Sequence, residues 1–244
     1  MRTCKPPLSV RYAAVEAHSA HASGALPDDQ VQSYGMQRRR FIVVEGVPGV
    51  GKTTLAATLS SEMDGAPILR LTDEFRVARG QLETDPEVGP THRLDLYLSA
   101  TADLAERVRK ALRATDVVCD RFYPSALGLF EAEGELDTEA IEAAAEPHLQ
   151  TAPRPAVTVV LHATHPILRQ RIEQRVRIPL DTAVHRRARD SAAFADRWAR
   201  AIDRLAAKSG PVLTVDTTYM SAGEVARYVL TGLATPESPE VSDQ

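Results

Sequence analysis

The sequence predicts an α/β domain of three layers, with helices on both faces of a central five-stranded parallel sheet. Three observations predict it. Short apolar runs alternate with helical patterns along most of the 244 residues. Those runs are mostly continuous in Val, Ile and Leu, as expected of strands buried on both faces. The composition, 43% hydrophobic and 25% charged, is that of an ordinary globular chain long enough to bury a full core.

In chain order, residues 1–35 carry Pro6, Pro7, Gly24 and Pro27 among Ala, His and Ser without a sustained period. They read as a disordered leader, and Met36 is an alternative start that would leave the leader upstream. The domain is expected over 36–235, with 236–244 (Pro-Glu-Ser-Pro-Glu-Val-Ser-Asp-Gln) as a polar tail. Strands are expected at Phe41–Glu45, Ile68–Leu71, Asp116–Asp120, Val157–His162 and Pro211–Asp216. Helices are expected at Gly51–Met63, Pro90–Arg113, Ser125–Glu131, Asp137–Gln150, Pro166–Arg175, Ala183–Lys208 and Ala222–Leu233. In such an alternation ligands sit at the carboxyl ends of the strands.

Several classes are disfavoured. The formal charge of −4 argues against a binder of nucleic-acid polymers, whose affinity rests on phosphate contacts. The apolar run Ala156–Leu161 is far shorter than the roughly 20 residues of a membrane helix, and a cytoplasmic protein is expected. Cys4 and Cys119 are the two cysteines and form no readable metal knuckle or disulfide framework. His162 and His165 flank the end of the fourth strand without a Cys or carboxylate to complete a zinc set.

The first strand runs into Gly46-Val47-Pro48-Gly49-Val50-Gly51-Lys52-Thr53-Thr54, which satisfies GxxxxGK[ST] between a strand and a helix. Glycines let backbone N–H groups curl around a phosphate, and the helix N-terminus adds positive potential. Lys52 can reach the β- and γ-phosphates of ATP, and the Thr53 hydroxyl can ligate Mg²⁺. The fold class is therefore expected to be the three-layer P-loop NTPase fold. After the third strand comes Asp120-Arg121-Phe122-Tyr123-Pro124-Ser125. A carboxylate at that strand tip can hold a Mg²⁺-bound water or take an acceptor proton, and Arg121 can pin an acceptor group.

From Arg169 to Arg200 nine arginines face four acids, Glu173, Asp181, Asp190 and Asp196. A basic segment of this kind suits a lid near 169–190 that closes over a transferring phosphoryl group. By contrast, Glu131 to Glu146 holds seven acids and no base, and reads as a solvated or partner-facing surface.

Together the P-loop opening, the Asp120-Arg121-Phe122 triplet and the closing Val215-Asp216-Thr217-Thr218 resemble the thymidylate kinase and deoxynucleoside kinase branch of P-loop kinases, over roughly residues 36–233. The resemblance implies an ATP- and Mg²⁺-dependent phosphotransferase acting on a small-molecule acceptor, most simply a nucleoside or nucleoside monophosphate. It implies that Asp120 and Arg121 serve metal and acceptor, and that Thr217 and Thr218 lie near the base of ATP. Arg171, Arg175 and Arg177 would fall where lid arginines stand, with Arg186 and Arg187 as rivals. Dimers are common in that branch, so a homodimer is one option.

The acceptor side departs from thymidylate kinases. Their Thr-Arg-Glu-Pro-Gly after the second strand reads Thr72-Asp73-Glu74-Phe75-Arg76 here. Their arginine on the third helix is missing from Leu98-Ser99-Ala100-Thr101-Ala102-Asp103-Leu104. Arg76, Arg79 or Arg93 could substitute. Glu74, or Asp73, sits where deoxynucleoside kinases place a general base, and a helix N-terminal acid is the plainer alternative. Phe75, Tyr97, Phe122 and Tyr123 could stack on a base or pack in the core. A kinase for a hydroxyl on a non-nucleotide metabolite or antibiotic is a second reading, and a regulatory P-loop ATPase a third.

Overall fold

The computed structural model describes residues 39–85, 87–174 and 183–234. The expected leader 1–35 and tail 236–244 lie outside them. Five strands, β1 (Phe41–Glu45), β2 (Ile68–Leu69), β3 (Val117–Asp120), β4 (Val157–His162) and β5 (Val212–Asp216), form one sheet in the order β2-β3-β1-β4-β5. Every pairing is parallel, with Val44 opposite Asp120 and His162 opposite Asp216. The α/β/α architecture with a five-stranded parallel sheet is thus the observed one.

Helices α1 (Lys52–Glu62), α2 (Asp73–Thr84), α3 (Pro90–Ala111), α4 (Tyr123–Glu133), α5 (Thr138–Thr151), α6 (His165–Gln174), α7 (Ala183–Asp190), α8 (Ala192–Ala207) and α9 (Ala222–Ala234) complete the described chain. α1 packs on α9 and on β1, β2 and β3. α3, α4, α5 and α8 pack among themselves, with α3 against β2 and β3 and α8 against β4. The core lies between these layers and the sheet, where Ile42, Val44, Val118 and Val160 are fully buried. No helix among the described residues is long and apolar enough to cross a membrane.

The structure differs from the sequence reading in three elements. β2 stops at Leu69 rather than Leu71, because the Arg107 guanidinium takes the Arg70 carbonyl at 2.8 Å, outside the ladder with β3. α2 was not among the expected helices, although Asp73 and Glu74 were read as candidate helix N-terminal acids. It forms because the Thr72 hydroxyl accepts the Phe75 N–H, Asp73 and Glu74 sit in the favourable first turn, and Phe75 buries its ring edge-on against Tyr97 at 5.0 Å. The single helix expected over Ala183–Lys208 is two, broken at Ser191, whose hydroxyl caps α8 by accepting the Phe194 N–H at 3.2 Å.

The acidic run is also less free than expected. Arg204 on α8 ion-pairs with both Glu131 and Glu142, and Lys208 reaches Glu142 at 2.8 Å. Those contacts join α4 and α5 to α8.

α4 and α8 approach closely because Gly128 has no side chain. A Cβ there would meet Ala201 Cβ, Ile202 Cγ1 and the Ile202 backbone N at 3.3 Å each. Gly128→Val overfills this contact and should destabilise the fold by about 1–3 kcal/mol, read as a lower urea midpoint with an unchanged slope.

Candidate functional site

The site begins where β1 ends. Gly46, Gly49 and Gly51 have φ of 134°, 88° and 100°, so the chain reverses through left-handed and extended conformations that side chains resist. Space enforces the same choice. A Cβ on Gly46 would stand 2.5 Å from the Leu161 carbonyl oxygen, and one on Gly49 2.9 Å from that of Leu168. Val47, Pro48 and Val50 are buried beneath the loop and fix its shape. Lys52, the first residue of α1, is buried to 6% exposure, and its ammonium donates to the Val47 carbonyl at 2.7 Å. It therefore spans the inside of the loop.

Thr53 and Asp120 meet across this loop. The Thr53 hydroxyl donates to Asp120 Oδ2 at 2.7 Å, although 67 residues separate them. The β1–β3 register, Val44 opposite Asp120, brings them together. An exposed hydroxyl beside a carboxylate is a hard-oxygen donor set that fits Mg²⁺. Thr54, also exposed, follows on the same helical turn.

Arg121 is held by Gly46 and Ser125 of the motifs read from the sequence, together with Glu45 and Trp198, which the sequence did not single out. Its φ of 77° is left-handed, an uncommon state for arginine, and a buried carboxylate anchors the turn after it. Glu45, fully buried at the tip of β1, accepts from the Phe122 N–H at 2.8 Å, the Ser125 N–H at 3.3 Å and the Ser125 hydroxyl. Arg121 donates to Ser125 Oγ at 3.0 Å and to the Gly46 carbonyl at 3.2 Å, with its guanidinium 5.5 Å from the Trp198 ring centre. Trp198 in turn donates to the Ser125 carbonyl at 3.1 Å. Burial pushes the Glu45 carboxyl up, and the Ser125 hydrogen bond and the Arg121 charge oppose that. Burial pulls Arg121 down, against Asp120 and Glu45. The one available signal for Glu45 was a charge closing an otherwise apolar strand; nothing local marked Trp198.

On the other side of the loop, Arg171 of α6 donates to the Thr217 hydroxyl at 3.0 Å and the Thr217 carbonyl at 2.8 Å, with the Gly49 carbonyl at 3.5 Å. The Thr217 hydroxyl lies 2.9 Å from the Val50 carbonyl and 3.0 Å from that of His162. Thr218 accepts the Thr164 N–H at 3.1 Å. A cavity of about 330 Å³ opens here, lined by Gly51, Thr54, Arg171, Thr217 and Met220 among others, which is room for a planar base beside the P-loop.

Arg175 and Arg177 lie outside the described residues. Glu74 stands exposed in the first turn of α2. Phe75, Tyr97, Phe122 and Tyr123 are all buried in edge-on ring contacts. His165 faces the Ala188 carbonyl at 3.2 Å, and His162 pairs with Asp203 at 2.9 Å.

Comparison with known proteins bears on the family and the fold. The profile described as AAA domain matches residues 42–195. The chain belongs to the AAA domain family. A probable thymidylate kinase of Archaeoglobus fulgidus is 28% identical over 141 residues, covering 55% of this chain and 70% of the relative. That of Methanocaldococcus jannaschii is 28% identical over 96 residues, 38% of this chain and 51% of the relative. The structure of thymidylate kinase from Candida albicans superposes with a TM-score of 0.61 at 14% identity, over 80% of this chain and 91% of that one. This member of the family is accordingly a thymidylate-kinase-like P-loop protein, and the Candida structure corroborates the fold.

Two outcomes follow from the packing around the site. Glu45→Ala leaves the Phe122 and Ser125 donors and the Arg121 charge without their buried partner, and should cost about 3–5 kcal/mol in chemical denaturation, with Glu45→Gln costing less. The Asp203 hydrogen bond raises the His162 pKa above its ordinary 6.5. A raised folded-state value means that the pair stabilises fully below about pH 6.5 and loses its effect as pH rises through the folded value. The stability gap between wild type and His162→Gln should therefore be widest at about pH 6 and narrow towards pH 8.

Proposed function

We propose that the protein is an ATP- and Mg²⁺-dependent kinase that transfers the γ-phosphoryl of ATP to a nucleoside monophosphate or nucleoside. The observation that carries this reading is the Thr53–Asp120 contact at 2.7 Å across the P-loop, with Arg121 anchored next to it. The thymidylate kinase relatives support a nucleotide as acceptor.

In this reading Lys52 exchanges the Val47 carbonyl for the β- and γ-phosphates, while P-loop amides hold their oxygens. Thr53 and Asp120 are the side chains that would hold Mg²⁺, which when bound neutralises phosphate oxygens and aligns them. Thr54, Thr217, Thr218 and the loop Gly46 to Gly51 border the nucleotide, its base in the cavity beside Arg171. Arg121 fixes the acceptor by charge-assisted hydrogen bonds. The acceptor hydroxyl or phosphate oxygen attacks the γ-phosphorus, the bond from that phosphorus to the β–γ bridging oxygen breaks and ADP leaves, and the acceptor proton, where it carries one, goes to Asp120 or Glu74. Arg175 and Arg177, with Arg171, supply the lid cations that balance charge on the transferring group. We place the enzyme in the cytoplasm, with a homodimer as one option that rests on the family resemblance alone.

A second reading, transfer to a neutral hydroxyl of another metabolite, is favoured by one feature. The α3 stretch that lacks an arginine buries Thr101, and its hydroxyl donates to the Tyr97 carbonyl at 2.7 Å instead of offering a cation to the acceptor.

The test is ADP formation with ATP·Mg²⁺ and a panel of nucleosides and monophosphates. Acceptor-stimulated ADP from a nucleotide or nucleoside is the expected result, abolished by EDTA and lowered at least about tenfold in Lys52→Ala. Stimulation only by other hydroxyl compounds would favour the second reading. Equal hydrolysis with and without acceptor would replace both with an ATPase.

A further inference from the structure

Two demands on Arg121 pull against each other. To receive an acceptor it has to keep its charge uncompensated, and it has to be held still although its side chain carries much rotamer freedom. A carboxylate in contact would fix it and neutralise it. Among the described residues none ion-pairs with it, and Asp120 and Glu45 act on it only through their fields. Its hydrogen bonds go instead to neutral oxygens, Ser125 Oγ at 3.0 Å and the Gly46 carbonyl at 3.2 Å, and both leave from Nη1. They hold one end of the guanidinium. Nε and Nη2 have no acceptor among the described residues and are left to a ligand.

Trp198 of α8 steadies the rest. It is 3% exposed, the guanidinium carbon stands 5.5 Å from its ring centre, and its indole N–H donates to the Ser125 carbonyl at 3.1 Å. A ring face at this distance attracts a cation through its quadrupole and engages none of its N–H groups. The indole bond fixes the ring at the same residue whose hydroxyl receives Arg121 and donates to Glu45. As a helical carbonyl, that of Ser125 has its own N–H partner one turn on, so the bond serves to orient the ring rather than to satisfy the carbonyl.

The placement is built from further back. One turn on in both helices, Gly128 leaves room for α8 to approach at Ala201 and Ile202. One turn before, the Phe194 ring lies 6.0 Å from that of Trp198 at a tilt of 49°, and Arg187 of α7 stands 4.4 Å over Phe194. Leucine would fill a plain core position as well. The indole adds a ring face and a bond, both directed at the turn that carries Arg121.

We propose that Trp198 is the positioning residue of Arg121, its ring face and its bond to Ser125 orienting the guanidinium towards the acceptor while its charge and its Nε and Nη2 donors stay available. This rests on the kinase reading above, in which Arg121 fixes the acceptor. α8 then acts on the transfer site through one side chain that touches neither nucleotide nor acceptor.

The experiment compares wild type, Trp198→Met, Trp198→Phe and Arg121→Ala, and each Trp198 variant combined with Arg121→Ala, with thymidine monophosphate as acceptor. It reads KM for thymidine monophosphate and for ATP, thymidine monophosphate affinity by calorimetry, and the melting temperature. Trp198→Met should raise KM and Kd for thymidine monophosphate about three- to tenfold and leave KM for ATP within about twofold. Trp198→Phe, which keeps a ring face and loses the indole N–H, should recover most of that loss, to within about two- to threefold of wild type. In the Arg121→Ala background both substitutions should change acceptor affinity by less than about twofold, because the group they orient is gone. Equal effects with and without Arg121, or a lowered melting temperature with acceptor constants unchanged, would make Trp198 a core residue and overturn the proposal. If Trp198→Met does not fold, the Trp198→Phe cycle decides by the same comparison. Wild type that neither binds thymidine monophosphate nor forms acceptor-stimulated ADP refutes the kinase reading instead. Crystal structures then decide the positioning role: a guanidinium displaced in the Trp198 variants sustains it, and one still bonded to Ser125 Oγ and the Gly46 carbonyl as in wild type overturns it.

Discussion

Much of the site depends on one buried carboxylate. Glu45 closes β1 with no exposed surface, where an isolated charge would be costly. It is retained there because three donors from the β3–α4 turn converge on it, and because the Arg121 charge lies close enough to oppose the effect of burial. This ties the start of the phosphate loop to the turn that carries Asp120 and Arg121. It also lets Arg121 keep a left-handed backbone, which would otherwise be uphill by roughly 1–3 kcal/mol. The indole of Trp198 then closes the network from α8, a helix that begins nearly 150 residues after β1 ends.

The strand order makes such convergence available. With β1 flanked by β3 and β4, the loop after β1 has the Asp120 tip on one side and the Leu161–His162 tip on the other. Thr53 therefore meets Asp120, while the Thr217 hydroxyl reaches the Val50 and His162 carbonyls. Arg171 completes the second side by bridging Thr217 to the Gly49 carbonyl. One face of the loop thereby carries Thr53, Asp120 and Arg121 and the other Arg171 and Thr217, which in the proposed function serve metal and acceptor on one side and the base on the other. Parallel pairing, not local sequence, brings these residues together.

How much was legible in the sequence follows from that distinction. The P-loop was readable because its requirements are local: glycine where a Cβ would strike Leu161 or Leu168, and Lys52 and Thr53 at fixed spacing. The five strands were readable from continuous apolar runs. α2 was not, because its burial depends chiefly on one ring, Phe75, meeting Tyr97 from another helix. Neither was the break at Ser191, since the flanking segments keep one helical period and only the capping hydroxyl separates them. Glu45 and Trp198 serve Arg121 through partners distant in sequence, and spacing carries no trace of that. A charge at the end of an apolar strand is the kind of local inconsistency that marks a site.

The basic segment teaches a related point about counting charges. Nine arginines between 169 and 200 suggest a lid full of catalytic cations. Those with described partners are mostly employed at home: Arg169 with Glu173, Arg189 with Asp190, Arg187 over the Phe194 ring, Arg197 on the Ala132 carbonyl. Arg171 is the exception in position, since its partners are the phosphate loop and Thr217. Its two bonds to Thr217 orient it in advance, and the guanidinium has donors in more than one direction. It can hold the base-side wall while turning its remaining N–H groups towards phosphate. A cation fixed in this way costs less to order at the moment of transfer than one drawn from solvent.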